Sequence, residues 1–288
     1  MKIIGGSASK NIAEGLSKKL NTSLIETDHK FFPDGEQYVR ILEDIKDEHI
    51  AIVQTTYPDE KIVEFFLLQD AVKRAGAKKT TVVIPYYGYA RQDQKFESGE
   101  PISAEALAKL ISLNADTVVT VDPHKEYILD FFDCSAYSCT AIPAIAEYLK
   151  DKNIDLVLAP DKGAIKRAKK TSEIIDCEYD YMEKTRIDGS TVEIKPKNLD
   201  AKNQNVAIID DIISTGGTMS KSINQLKKHN AKKVYAACTH GLFADNAVEK
   251  LESMGCDEVI CTDSIENEFN KVDLSSCLSR KMEGIIKK

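Results

Sequence analysis

Residues 206–218 read Val-Ala-Ile-Ile-Asp-Asp-Ile-Ile-Ser-Thr-Gly-Gly-Thr, so an apolar run leads into two acidic residues and then into a glycine-rich turn. The β-branched run predicts a buried strand over 206–209, and the turn predicts a helix that begins near Thr218. Paired glycines lack Cβ atoms, which lets the backbone curl and approach a ligand closely. A strand, a tight turn and a helix in this order are typical of an α/β fold, in which ligands bind beyond the carboxyl ends of the strands.

The side chains of this segment suit a sugar phosphate. Asp210 and Asp211 can accept hydrogen bonds from ribose hydroxyls, whereas carboxylates cannot bind phosphate directly. The amide groups of the turn, its hydroxyls and the positive end of the helix dipole can bind phosphate oxygens. A bare Gly-Gly would favour a simple tight turn with a solvated acidic pair, but the complete arrangement favours a ligand site. The expected phosphate-binding residues are Ser214, Thr215, Gly216, Gly217 and Thr218.

Short apolar runs alternate with amphipathic stretches along the whole chain. Continuous apolar runs predict strands that are covered on both faces, and strands that alternate with helices predict a mainly parallel sheet. The pattern occurs twice, which suits a chain of 288 residues at about 150 residues per domain. We therefore expect two α/β domains, 1–145 and 146–288, with the boundary near residues 140–150. The predicted strands are 50–54, 80–84, 117–121, 155–159, 206–209, 234–238 and 258–261, and the predicted helices are 60–75, 103–113, 141–150 and 218–229.

The composition argues against several classes of protein. A formal net charge of −7 argues against a general nucleic-acid binder, which needs a basic face, but it leaves room for small phosphates bound by local amide groups. No apolar run approaches the length of about 20 residues that spans a bilayer, and the N-terminal apolar stretch is too short for a signal peptide, so we expect a cytoplasmic protein. Seven cysteines without Cys-x-x-Cys spacing favour reduced thiols over a disulfide framework or a zinc site.

Segment 206–218 resembles the phosphoribosyl-pyrophosphate-binding motif of the type I phosphoribosyltransferase fold. The resemblance implies that both domains are phosphoribosyltransferase-like, each with a mainly parallel sheet flanked by helices. The family often has an acidic residue at position 214, where this chain has Ser214, so no carboxylate role is available there. Enzymes that consume phosphoribosyl pyrophosphate and enzymes that make it both carry the motif, so it does not distinguish between them.

A second segment, 85–95, reads Pro-Tyr-Tyr-Gly-Tyr-Ala-Arg-Gln-Asp-Gln-Lys and follows a predicted strand. Its aromatic rings could stack a purine and Arg91 could bind phosphate with two hydrogen bonds, but an exposed turn whose tyrosines pack on the next element fits about equally well. The segment resembles the ATP-binding loop of ribose-phosphate pyrophosphokinases. That resemblance implies ATP contacts from Arg91, Gln92, Asp93 and Lys95.

A third segment, 31–36, reads Phe-Phe-Pro-Asp-Gly-Glu. By composition alone, Pro-Asp-Gly predicts a turn and nothing more. The segment resembles a family loop that reaches the adenine of ATP held by a neighbouring subunit. This implies a homo-oligomer, a dimer or a hexamer, with the ATP site at a subunit interface. The residues so implicated are Phe32, Asp34, Gly35 and Glu36.

Two further strand ends carry candidate metal ligands, His124 in Val-Asp-Pro-His and Asp161 in Ala-Pro-Asp-Lys-Gly. A lone histidine is more often structural, although its place after a strand favours a ligand role. Asp161 could also cap the helix predicted after it. The resemblance makes both residues Mg²⁺ ligands, with Asp122 a further candidate nearby. Because Mg²⁺ prefers oxygen, the alternative is that His124 contacts an ATP phosphate and Asp161 carries most of the metal binding.

The segment Glu183-Lys184-Thr185-Arg186 places two cations at i and i+2, on the same side of an extended chain, and residues 187–190 predict a turn. By itself this is an ordinary charged hairpin. It matches the catalytic flexible loop of ribose-phosphate pyrophosphokinases. The match implies that Lys184 and Arg186 stabilise the transition state and that Arg186 also contacts ribose 5-phosphate.

The chain as a whole is therefore similar to ribose-phosphate pyrophosphokinases, which implies transfer of the pyrophosphoryl group of MgATP to the C1 hydroxyl of ribose 5-phosphate. The sugar supplies the nucleophile, so positioning and electrostatics would provide the catalysis. One enzymatic alternative and two non-enzymatic alternatives remain. A phosphoribosyltransferase would share segment 206–218 but has no need of segments 85–95 and 31–36. A non-catalytic regulatory homologue would have lost the cations of the flexible loop or Asp161, and a repressor would carry a DNA-binding module and a basic face.

Overall fold

The computed structural model describes residues 1–186, 192–196 and 200–286, with the main chain alone at 184–186 and 192–195. The strands are β1 Lys2–Gly5, β2 Leu24–Ile25, β3 Thr27–Phe31, β4 Gln37–Ile41, β5 His49–Val53, β6 Lys79–Ile84, β7 Thr117–Val121, β8 Ser135–Cys139, β9 Leu156–Ala159, β10 Glu178–Arg186, β11 Val192–Pro196, β12 Asn205–Ile213, β13 Lys233–Gly241, β14 Glu258–Thr262 and β15 Asn270–Val272. The α-helices are α1 Lys10–Leu20, α2 Asp59–Arg74, α3 Ser103–Ser112, α4 Ile142–Lys150, α5 Ile165–Ile175, α6 Gly217–Lys228, α7 Ala247–Ser253 and α8 Ser275–Ile286. Within the described residues, no helix has both the length and the apolar character that a membrane span requires.

The chain divides into two units. The first comprises Met1–Thr140, Ser264–Glu266 and Leu274–Lys288, and the second comprises Ala141–Asp263 and Asn267–Asp273. Each unit has its own largely parallel sheet flanked by helices, which confirms the predicted α/β class. The chain passes from the first unit to the second just before α4, between Thr140 and Ala141, within the range of residues 140–150 named above.

The sheet of the first unit has the strand order β2-β1-β5-β6-β7-β8, and its neighbouring strands are all parallel. All of β7 and nearly all of β6 are buried, which explains why both read as continuous apolar runs. Helix α2 buries Phe65, Leu68 and Val72 in the core beside this sheet. Strands β3 and β4 form a separate antiparallel hairpin.

The sheet of the second unit has the strand order β11-β10-β9-β12-β13-β14-β15 and is parallel except for the pair β10 and β11. Strand β12 is longer than predicted, because it continues past the two aspartates and stays paired with β13 as far as Ile213 opposite Gly241. The expected end at residue 209 was wrong, since main-chain pairing satisfies amide and carbonyl groups whether or not the side chains are charged.

Helix α8 belongs to the first unit, whereas residues 146–288 were expected to form a single domain. Its apolar face buries Leu278 and Met282, and it packs against α1. The Sγ atom of Cys277 lies 3.9 Å from that of Cys139 at the end of β8. The amphipathic pattern of α8 indicates that one face is buried, but it does not indicate which domain covers that face.

Candidate active site

In the second unit, several predicted site residues follow three neighbouring parallel strands, in the sheet order β10, β9 and β12. Asp161 comes just after β9, Asp210 and Asp211 lie in the last part of β12, and Lys184 and Arg186 lie at the end of β10. Neighbouring parallel strands end at the same edge of a sheet, so the fold gathers these residues at one edge. This is the edge at which open α/β sheets bind their ligands.

The acidic pair is held by hydrogen bonds and by an arginine. Asp211 is only 5% exposed, its main-chain amide donates to Asp210 Oδ1 at 2.9 Å, and Arg167 Nη2 of α5 lies 3.4 Å from Asp211 Oδ2. Burial raises the pKa of Asp210 to about 8, and the hydrogen bond to Asp211 and the charge of that residue act in the same direction. The surroundings of Asp210 therefore favour the protonated form of its carboxyl group.

The glycine-rich turn leads from β12 into α6. Gly216 has a φ of +67°, a conformation that favours glycine, and the helix begins at Gly217, one residue before the predicted start. Thr215 and Thr218 are exposed and Ser214 is half-buried. The first amide groups of a helix have no intrahelical acceptor. The turn therefore combines accessible hydroxyls with amide donors, which is an arrangement suited to an anion.

Two cations near these residues were missed by sequence reasoning, Arg167 on α5 and Lys250 on α7. Lys250 is exposed, and its Nζ lies 3.5 Å from the carbonyl oxygen of Thr215 in the glycine-rich turn. Arg167 lies on α5 and approaches the end of β12, and Lys250 lies on α7 and approaches the turn before α6. No local sequence signal marks either residue, because the approach depends on the order of the strands.

The main chain of β10 extends through Lys184 and Arg186 and pairs with β11, placing Lys184 opposite Ile194 and Arg186 opposite Val192. The extended conformation predicted for this segment is therefore present. Residues two apart on a strand lie on the same side of it. The side chains of both cations, and the turn predicted at 187–190, lie outside the described residues.

In the first unit, segment 85–95 follows β6 as predicted, but its first two tyrosines cannot stack a base. Tyr86 is 5% and Tyr87 2% exposed, and the Tyr87 hydroxyl donates to the carbonyl oxygen of Ala104 at 2.6 Å. Burial also raises the pKa of this hydroxyl far above its usual value. Tyr87 therefore contacts the next helix, α3, as the alternative has it, whereas Tyr86 is buried with its ring against Tyr57.

The polar half of this segment divides into exposed cations and residues with internal partners. Arg91 and Lys95 are exposed. The side-chain oxygen of Gln92 accepts a hydrogen bond from a serine hydroxyl at the start of α3, and Asp93 accepts one from the Tyr127 hydroxyl at 2.5 Å. Tyr127 lies in the 3₁₀ helix Glu126–Phe131, which follows β7, so its bond joins this helix to the segment that follows β6. The two cations are thus open to a ligand, while Gln92 and Asp93 shape the loop.

The third segment forms the exposed tip of the β3–β4 hairpin. The Phe32 amide donates to the Glu36 carbonyl oxygen at 2.7 Å, the Gly35 amide donates to the Phe32 carbonyl oxygen at 2.9 Å, and Asp34 Oδ1 accepts from the Glu36 amide at 3.1 Å. Gly35 has a φ of +93°, so the predicted turn is present. The Phe32 ring meets Tyr38 edge to face and is 44% exposed.

The candidate metal ligands belong to different units, His124 to the first and Asp161 to the second. Asp161 is exposed, and its Oδ1 accepts from the Gly163 amide at 2.7 Å, so it caps the 3₁₀ helix Lys162–Ala164. Within the described part of the chain, no three His, Cys, Asp or Glu residues gather as a metal site. Mg²⁺ usually keeps several waters and takes only one or two carboxylates together with substrate phosphates. The Asp161 carboxylate fits this demand better than the His124 imidazole.

Comparison with known proteins places the second unit in the class of phosphoribosyltransferase domains, because residues 140–276 match the family model described as "Phosphoribosyl transferase domain". Residues 1–114 match the model described as "N-terminal domain of ribose phosphate pyrophosphokinase". The chain belongs to the ribose-phosphate pyrophosphokinase family, an enzyme family of kinase-type transferases. The predicted family and fold class are thereby confirmed.

Individual relatives extend this similarity over nearly the whole chain. Ribose-phosphate pyrophosphokinase of Pyrococcus abyssi is 42% identical over 272 residues, which cover 93% of this chain and 94% of the relative. The enzyme of the same name from Methanosarcina mazei is 39% identical over 286 residues, which cover 99% and 96%. The crystal structure of phosphoribosylpyrophosphate synthetase from Mycobacterium smegmatis matches with a TM-score of 0.84 at 28% identity, over 99% of this chain and 98% of that one.

Proposed function

We propose that this chain transfers the pyrophosphoryl group of ATP to the C1 hydroxyl of ribose 5-phosphate, giving 5-phosphoribosyl 1-pyrophosphate and AMP. The observation that carries the proposal is the end of β12, where an acidic pair is followed by a glycine-rich turn and the N-terminus of α6. Full-length similarity to ribose-phosphate pyrophosphokinases supports this activity over a phosphoribosyltransferase, because it includes the first unit.

The second unit binds ribose 5-phosphate in this proposal. Asp210 and Asp211 hold the ring hydroxyls, and the residues of the turn hold the 5-phosphate at the positive end of α6. Lys250, beside the Thr215 carbonyl, adds positive charge close to the phosphate-binding turn. A sugar phosphate suits this edge of the sheet. The carboxyl groups of the protein bind the hydroxyls of the sugar, and the amides, hydroxyls and lysine of the protein bind its phosphate.

The first unit binds ATP. Arg91 and Lys95 are exposed cations for the phosphates, and their loop is shaped by the internal hydrogen bonds of Gln92 and Asp93. The exposed hairpin tip, with Phe32, Asp34, Gly35 and Glu36, contacts the adenine of ATP bound to a neighbouring subunit.

Mg²⁺ accompanies ATP in this proposal, held by Asp161 with His124 as a second ligand or as a contact to an ATP phosphate. When bound, the ion neutralises charge on the phosphate oxygens. The Gly163 amide fixes one oxygen of the Asp161 carboxylate, which orients the group before the ion binds.

Lys184 and Arg186 stabilise the charge that develops on the transferring group, and Arg186 also contacts ribose 5-phosphate. Both residues lie on β10, two strands away from the acidic pair in the same sheet. Positioned cations of this kind supply a large part of the catalysis in phosphoryl transfer.

A homo-oligomer, a dimer or a hexamer, is supported by apolar side chains that are exposed on the β3–β4 hairpin and on α2. Phe31 is 60% and Val63 53% exposed, and Leu42 and Leu67 are exposed as well. The hairpin and α2 are joined by a hydrogen bond from the side-chain amide of Gln37 to the main-chain carbonyl oxygen of Glu60. Clustered exposed apolar residues on one part of a surface are typical of protein–protein contacts.

An AMP-release assay with purified protein, MgATP and ribose 5-phosphate tests the activity directly. We expect one AMP for each ribose 5-phosphate consumed, and none when either substrate is omitted. A phosphoribosyltransferase would release no AMP here but would consume 5-phosphoribosyl 1-pyrophosphate together with a base, and a non-catalytic homologue would do neither. Folded protein that releases no AMP would overturn the proposal.

A further inference from the structure

Arg167 is a cation that contacts the acidic pair. Its side chain is 20% exposed, and its Nη2 lies 3.4 Å from Oδ2 of Asp211, whose side chain is 7% exposed. Arg167 is held on α5, which packs beside β12. A guanidinium stays charged at any pH at which the protein is folded, so this contact is a permanent positive charge on one side of the pair.

Two contacting carboxyls that are withdrawn from water do not ionise independently. Each negative charge disfavours the other, and burial disfavours both. Burial and the charge of Asp211 raise the pKa of Asp210 for these reasons, and the positive charge of Arg167 lowers it. The fully buried Cys238 thiol on the neighbouring strand β13 stays neutral, since burial raises its pKa well above its usual value. Among the described contacts, Arg167 is thus a positive charge that acts on the pair of Asp210 and Asp211.

We propose that Arg167 is a positioning residue of the ribose 5-phosphate site: its contact keeps the negative charge of the pair on Asp211 and leaves Asp210 with a proton to donate. This rests on the proposed function, because it assumes that the pair holds a sugar. One carboxylate then accepts from a hydroxyl, and one carboxyl donates to a hydroxyl oxygen. A ribose hydroxyl both donates and accepts, so an unlike pair matches a diol better than two equal carboxylates do.

Arg167→Gln removes the charge while keeping a polar side chain of moderate length. We expect it to weaken ribose 5-phosphate binding about 10- to 100-fold, the range for losing one charged hydrogen-bonding partner. Arg167→Lys keeps the charge and should recover part of the loss. Lys169→Gln is the matched control, since it removes one charge from the same helix at a side chain that is 56% exposed.

The pH dependence separates a positioning role from a merely structural one. Arg167 lowers the pKa of Asp210, so its removal raises that pKa further. In the unmutated chain, affinity for ribose 5-phosphate should fall as the pH rises through about 8, where Asp210 loses its proton. In Arg167→Gln the fall should occur at higher pH. A protein that is simply damaged would lose affinity without moving this transition.

The experiment is calorimetric titration of ribose 5-phosphate into the unmutated chain and the three variants between pH 6.5 and 9.5, with AMP release measured in parallel. Weakened binding and a displaced transition in Arg167→Gln, with a control like the unmutated chain, support the proposal. Unchanged binding in Arg167→Gln overturns it. If that variant fails to fold, Arg167→Lys is used instead. Its affinity for ribose 5-phosphate should fall at the same pH as that of the unmutated chain, and a fall at another pH would contradict the proposal. Failure of the proposed function is separate, because it would show as absent AMP release from the unmutated chain.

Discussion

Glycine at position 88 is dictated by one main-chain contact. A Cβ atom there would lie 2.2 Å from the carbonyl oxygen of Thr56, which cannot rotate aside as a side chain can. We expect Gly88→Ala to lower the free energy of unfolding by about 1–3 kcal/mol, the usual cost of overpacking. Urea denaturation followed by circular dichroism measures this change.

Gly284→Ala is the matched control for that substitution. Apart from its chain neighbours and the backbone of its own helix, α8, no atom of the described residues lies within 4 Å of a Cβ added at Gly284. Alanine favours a helix over glycine, so this variant should gain up to about 1 kcal/mol. Effects of the same sign and size at both positions would contradict the packing explanation.

Lys184 provides a residue-scale test of catalysis. We expect Lys184→Ala to lower kcat at least about 100-fold while the dissociation constant for ATP changes little, because the cation acts on charge that develops in the transition state. Steady-state kinetics and direct ATP titration measure the two quantities. Affinity and turnover lost to the same extent would show that Lys184 also serves ground-state binding.

The sequence predicts the location and burial of some site residues but not the contacts of others. The Asp210 and Asp211 pair was located from its place between an apolar run and a glycine-rich turn, because both signals are local. The burial of Tyr86 and Tyr87 was one of two open alternatives, since aromatic rings serve cores and ligands alike. Arg167 was not found, because its contact with Asp211 depends on α5 packing beside β12.

Helix α8 contributes to the stability of the first unit although it is remote from that unit's other elements in sequence. Leu278 is fully buried. We expect Leu278→Ala to destabilise the first unit by about 2–5 kcal/mol through lost burial and a residual cavity. When the variant is heated and amide hydrogen exchange is measured, the amides of the first unit should lose their protection before those of the second unit.

The earliest exchange appearing in β12 and β13 instead would contradict this assignment of α8. Leu113→Ala is a suitable control, because that leucine is 72% exposed and its truncation should change stability by no more than about 0.5 kcal/mol.

At the scale of elements, apolar runs and periodicity predicted seven of the fifteen described strands and four of the eight described α-helices, but they did not predict how far β12 extends. Charged residues were read as the end of the strand, yet β13 offers main-chain partners as far as Gly241. The length of a strand is set jointly with its neighbour, and the neighbour is identified only by the sheet order. The same limit applies to α8, whose pattern reveals a buried face but not its partner.

For the whole molecule, the exposed apolar residues of α2 and the hairpin offer a test of assembly. We expect Val63→Glu to dissociate the proposed oligomer, because it places a charge on a surface that assembly would bury. Light scattering should report a mass that falls toward the 32.0 kDa of one chain, and the KM for ATP should rise.

Leu113→Glu, a charge introduced at an exposed leucine after α3, should leave both the mass and the KM unchanged. An unmutated chain that is already monomeric and fully active would remove the basis for a shared ATP site.

The return of the chain to the first unit after residue 273 has a consequence for biosynthesis. A ribosome delivers Met1–Thr140 early, but α8 emerges only after the whole second unit has been translated. Until then the surface of α1 that α8 covers, and Cys139 at the end of β8, lack their native neighbours. The unit that is synthesised first is thus completed last. A transcript that ends within the second unit would yield a first unit that lacks α8, so the surface of α1 that α8 normally covers would stay exposed.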